Sequence, residues 1–189
     1  MAGLEADTIG GFNSMIARQK QEAGEALVST VLFDNESVVI HDRLPLEDVP
    51  PMTEKEYFTL GCTALLDAIG YGMEKIVNIQ RHLPEDERAE KVIFVITTDG
   101  LENASKRFGY EKIRRMIARE KEQYGWEFLF LGANMDAVKE AARFGISSDR
   151  AVRFENDAQG VAVNYHVVSE TVSRMREAPC CASIGAEWK

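Results

Sequence analysis

The chain has 189 residues, 45% of them hydrophobic and 28% charged, and a formal net charge of −9. That length fits one globular domain with a real core. Its basic residues are scattered, with nothing longer than pairs such as Lys106-Arg107 and Arg114-Arg115, which argues against a nucleic-acid partner.

No apolar segment approaches the roughly 20 residues of a membrane span, and Met1 to Asp7 lacks the basic region and apolar core of a signal peptide. No membrane partner is expected, and the cytoplasm is the default compartment. Of three cysteines, Cys180 and Cys181 are adjacent in a segment that reads as a frayed tail, so no disulfide framework is expected. His41, His82 and His166 are isolated and suggest no zinc cluster.

Residues 4 to 22 read as a helix, with Leu4, Ile9, Phe12, Met15, Ile16 and Ala23 near one face and Gly24 as a stop. Ala26 to Phe33 and Ser37 to Asp42 read as strands joined by the turn Asp34-Asn35-Glu36, which makes an antiparallel hairpin. Leu44 to Tyr57, with three prolines, reads as a loop. Gly61-Cys62-Thr63 opens a second helix whose apolar period (Leu66, Ile69, Met73, Ile76, Val77) runs to about Gln80.

Val92 to Ile96 is an unbroken, β-branched apolar run, too short for a helix of its own. It reads as a strand buried on both faces at the centre of a parallel sheet. A helix carrying Tyr110, Ile113, Met116, Ile117 and Tyr124 follows and stops at Gly125. Then come a buried strand, Trp126 to Leu131, a short helix holding Val138, Ala141 and Ala142, and a short strand, Ala151 to Phe154. Val161, Tyr165, Val168, Val172 and Met175 recur at steps of four and three, giving a closing amphipathic helix. The expected fold is a three-layer, Rossmann-like α/β domain over residues 1 to 176, mostly parallel with one antiparallel edge strand; residues 177 to 189 are a tail.

The expected central strand ends in Thr97-Thr98-Asp99-Gly100, which delivers a carboxylate where open α/β sheets bind ligands. Asp in that place is also a common turn former or helix cap. Gly61-Cys62-Thr63 is a second loop with a small oxygen donor, although Thr63 reads equally as a helix N-cap. A Thr hydroxyl and an Asp carboxylate are hard oxygen donors suited to Mg²⁺. Asp67, Glu102 and Asn103 are weaker neighbours, the last two as residues that shape the loop after Asp99.

The order helix, hairpin, Gly-x-Thr-Ala-Leu (Gly61 to Leu65), apolar strand, Thr-Asp-Gly (Thr98 to Gly100) and Glu-Asn resembles a von Willebrand factor A (vWA) domain. The bacterial and phage-type single-domain members are the most similar. The resemblance implies a doubly wound sheet with a metal-ion-dependent adhesion site on its top edge. There Mg²⁺ or Mn²⁺ is completed by a carboxylate from a protein partner. Carried over by motif, Thr63 and Asp99 are the metal residues, and the implied function is protein binding rather than catalysis.

The chain departs from the family in having no Asp-x-Ser-x-Ser motif and no strand before its first helix. Two readings stay open: an upstream strand and motif belong to the natural protein, or the domain has lost them and binds metal weakly. In the second case the missing central strand leaves exposed edges that invite pairing with another chain, including an oligomer. The alternative from another class is a small Mg²⁺-dependent α/β enzyme with Asp99 as metal ligand and Cys62 as nucleophile. Cys62 has the setting for a lowered pKa, but no His is placed by sequence to act as its base.

Overall fold

The computed structural model describes residues 3–57, 61–133 and 135–178. In chain order the elements are α1 (Glu5–Gln19), β1 (Leu27–Phe33), β2 (Ser37–Pro45), α2 (Leu65–His82), β3 (Ile93–Thr98), α3 (Tyr110–Tyr124), β4 (Glu127–Ala133), α4 (Ala137–Arg143), β5 (Ala151–Phe154) and α5 (Ala158–Glu177). Local chemistry sets several of the ends. The Asp136 carboxylate accepts the Lys139 N–H at the start of α4, and Asp157 accepts the Gly160 N–H at the start of α5. Gly125 closes α3 at φ 64°, a left-handed conformation that glycine adopts without a Cβ penalty.

β4 organises the interior. It lies between β3 and β5, parallel to both, and every residue from Phe128 to Ala133 is buried. Successive side chains of a strand point to opposite faces. Phe128 and Phe130 accordingly join a cluster with Leu65, Ile69 and Met73 of α2, Ile113 and Ile117 of α3, and Phe144. Leu129 and Leu131 join Val161, Val168 and Met175 of α5. Helices therefore cover both faces of the parallel sheet, as an α/β fold requires. α1 packs against α5 and shares a third cluster, Phe12 and Ile16 with Leu46, Val49 and Met52, with the loop after β2.

β1 and β2 form the expected antiparallel hairpin, and the turn is held by the Glu36 N–H donating to Asp34 Oδ1. β2 runs three residues past the expected Asp42, because pairing continues to Leu27 opposite Pro45.

Two expectations need correction. The chain does not form one sheet: the described strands make a two-stranded sheet, β1-β2, and a separate three-stranded sheet, β3-β4-β5. The apolar run at 92–96 is also not a central strand buried on both faces. Among the described residues β3 is an edge strand with Val95 36% exposed, since β4 is its one hydrogen-bonded neighbour there. β4 takes the central place instead. Of the expected tail, 177 to 189, Glu177 is the last residue of α5 and Ala178 caps it, while the rest, including Cys180 and Cys181, lies outside the described residues.

Candidate functional site at the carboxyl ends of β1 and β3

The 61–64 loop and the 98–103 loop are tied directly to each other. The Thr63 N–H donates to Asn103 Oδ1 at 2.9 Å, and the Asn103 N–H donates to the Thr63 carbonyl at 3.0 Å. The approach is close enough that a Cβ on Gly100 would sit 2.6 Å from Thr63 Oγ1, so any larger residue there would force the Thr63 hydroxyl to move. Gly61 enters the loop at φ 84°, again in the left-handed region. The Ala64 N–H donates to the Asp34 carbonyl just past β1. One short segment, Thr63-Ala64, thus bonds both to Asp34 just past β1 and to the loop that follows β3.

Thr63 is not the N-cap of α2. That place belongs to Ala64, which makes no side-chain cap bond. Two backbone amides of the first turn are satisfied from the other loop. The Leu66 N–H donates to Glu102 Oε2 at 2.8 Å and the Asp67 N–H donates to Ser105 Oγ at 3.0 Å. Glu102 also accepts from the Ala104 and Ser105 N–H groups and from the Ser105 hydroxyl. A carboxylate at a helix N-terminus also complements the helix dipole.

Asp67 returns the exchange by accepting the N–H groups of Lys106, Arg107 and Phe108 at 2.8 to 3.0 Å. Burial pushes its pKa up, but these three donors and the Arg107 guanidinium outweigh it and hold the carboxyl below the ordinary value. Asp67 and Glu102 are therefore fasteners that fix the loop after β3 to the start of α2. Both oxygens of each carboxylate are engaged in that work. Nothing in the local sequence gives this pairing away, because the partners lie 36 to 41 residues apart.

Thr63 and Asp99 remain as the candidate metal donors, both half-buried on adjacent loops. Asp99 follows directly on β3, and Thr98 beside it is buried, its hydroxyl donating to the Gly100 carbonyl at 3.0 Å. One hydroxyl and one carboxylate fit Mg²⁺ as a partial set, since that ion keeps several waters and needs few carboxylates. Among the described residues no group of three or more His, Cys, Asp or Glu is placed to hold a metal ion.

Cys62 is exposed and lies before the first turn of α2. The histidines are occupied elsewhere. His41 Nδ1 pairs with Thr30 Oγ1 while its ring stacks on Phe12; His82 pairs with the Asn78 carbonyl, and His166 with Arg18. No described helix is long and apolar enough to cross a membrane. Compared with known proteins, the chain has no significant match to any family model, curated protein or solved structure.

Proposed function

We propose that this chain is a vWA-like protein-binding module in which Thr63 and Asp99 supply part of a Mg²⁺ or Mn²⁺ site. The observation that carries this reading is the direct tie between the 61–64 and 98–103 loops, which puts both motifs of the resemblance at one end of the strands. In this reading the two sheets are the two parts of one vWA-type, Rossmann-like sheet that lacks the strand between β1 and β3. Thr63 and Asp99 hold the ion, water fills other positions, and a carboxylate of the partner protein completes the shell. Hard oxygen donors suit such an ion, and no proton transfer or covalent step is needed.

Calorimetric titration of the chain with Mn²⁺ and Mg²⁺ tests the proposal. It expects saturable one-to-one binding that is lost in Asp99→Ala while the circular dichroism spectrum is retained. Absence of binding to the unaltered chain, or equal affinity in both proteins, would overturn it.

A further inference from the structure

Seven of the chain's 22 lysines and arginines fall within residues 106–121, with only Glu111 and Glu120 against them. The two basic pairs, Lys106-Arg107 and Arg114-Arg115, both lie there, so this stretch is strongly positive in a chain of net charge −9. It begins just past Asn103, which is bonded to Thr63. Lys106, Arg107, Lys112, Arg114, Arg115 and Arg119 are all exposed. On α3, Lys112, Arg115 and Arg119 stand at i, i+3 and i+7, which makes one stripe about 10 Å long at roughly 1.5 Å per residue.

The near end of the stripe is built in place. The Arg107 guanidinium lies 4.7 Å from the centre of the Tyr71 ring, and Lys112 Nζ lies 4.0 Å from that of Phe108. Both cations reach the same Glu74 carboxylate, at 3.0 and 3.4 Å, so one acid answers two bases. Arg119 pairs with the buried Glu120. Lys106, Arg114 and Arg115 have no carboxylate partner among the described residues. Glu111 stands four residues before Arg115, the place of a helical ion pair. Arg115 Nε donates instead to the Glu111 backbone carbonyl at 3.2 Å. A chain with 31 acidic residues thus leaves these three cations unanswered.

We infer that the partner protein is acidic beyond the carboxylate it lends to the cation. A run of its Asp and Glu residues continues from the Thr63/Asp99 site past Lys106 and Arg107 to the α3 stripe. The inference rests on the proposed function in taking the occupant to be a partner protein; the stripe itself does not depend on the metal. Guanidinium forks match carboxylates two bonds at a time. Charge and shape argue against other occupants. A nucleic acid outruns the stripe and is repelled by the acidic remainder of the chain. From Glu111 to Gln123, the exposed positions of α3 include no apolar residue larger than Ala118 to enter a bilayer. A second copy brings the same net charge of −9 and meets the stripe only head to tail, a contact that builds rings or filaments.

The test uses a fluorescent, end-blocked peptide of twelve alternating Asp and Glu residues. Anisotropy is read as the full chain is titrated in at low ionic strength, in Mg²⁺ and in EDTA. Saturable binding is expected in both buffers, weakening as salt rises. Arg114→Glu combined with Arg115→Glu is expected to weaken it by about tenfold or more in each buffer. Lys55→Glu combined with Arg153→Glu makes the same change of net charge at exposed sites elsewhere and is expected to leave affinity within about twofold. Binding that survives EDTA and falls with the α3 reversal supports the inference even where the cation reading fails. Binding lost in EDTA and in Asp99→Ala but untouched by the α3 reversal would overturn it and leave the cation reading standing. No saturable binding, equal affinity for the matching Asn/Gln peptide, or tighter binding of a single-stranded oligonucleotide or of phosphatidylserine vesicles would also overturn it. So would a peptide-free oligomer by light scattering that the α3 reversal disperses.

Discussion

β4 and β3 are both short, β-branched or aromatic and apolar, yet they have opposite fates. β4 has a hydrogen-bonded strand on each side and helices on both faces, and its residues from Phe128 to Ala133 are buried. Among the described residues β3 has one strand neighbour, and it leaves Val95 partly in solvent. β1 carries a similar composition, Leu-Val-Ser-Thr-Val-Leu-Phe, and leaves Leu27 51% exposed. An apolar strand is therefore buried by its neighbours and not by its composition alone. The difference also divides the molecule into a satisfied half, around β4, and an unsatisfied half along β1 and β3.

The largest test of that division is Phe130→Ala. Phe130 is fully buried and its ring lies 5.5 Å from that of Phe144. Truncation should cost about 3–5 kcal/mol in urea denaturation; a loss below ~1 kcal/mol would show that β4 is not the core strand. Glu102→Ala comes next, because it leaves the Leu66 N–H, at a 4% exposed residue, without its acceptor. About 2 kcal/mol is expected, and a neutral result would show that the loop after β3 is not fastened to α2.

Asp67 gives a pH-dependent version of the same fastener. Its folded pKa lies below the ordinary 3.8, so its contribution is fully present above that value. The contribution is lost as pH falls through the depressed one. The stability gap between the unaltered chain and Asp67→Asn should be constant near neutrality and close in acid. A gap that widens in acid would reverse the sign. Val95→Ala should be the smallest effect, within about 0.5 kcal/mol, since partly exposed positions lose little on truncation. A loss as large as that of Phe130→Ala would mean that β3 is packed as tightly as β4.

Much of this architecture is legible in the sequence, for definite reasons. The steps of four and three from Val161 to Met175 place α5, the Asp34-Asn35-Glu36 turn places the hairpin, and Gly125 ends α3. Periodicity reports which face of an element is buried, and local residues report where it stops. Neither reports which strand lies beside which. The run at 92–96 therefore reads as the sheet's centre and turns out to be an edge, while β4 holds that place.

The two loops are legible as motifs, and their meeting is not. The Thr63–Asn103 bonds span 40 residues. The same distance hides the work of Asp67 and Glu102, whose carboxylates read as weak site neighbours and serve to hold backbone amides.

Amide hydrogen exchange of the chain alone, resolved residue by residue along β3, measures the division most directly. The Glu127 N–H donates to the Val92 carbonyl, and successive residues of a parallel strand alternate in the neighbour they bond. The account therefore predicts alternation, with Phe94, Ile96 and Thr98 protected by β4 and Ile93, Val95 and Thr97 exchanging fast on the edge away from it. Uniform protection of all six would contradict it and would mean that the β3 edge is already paired.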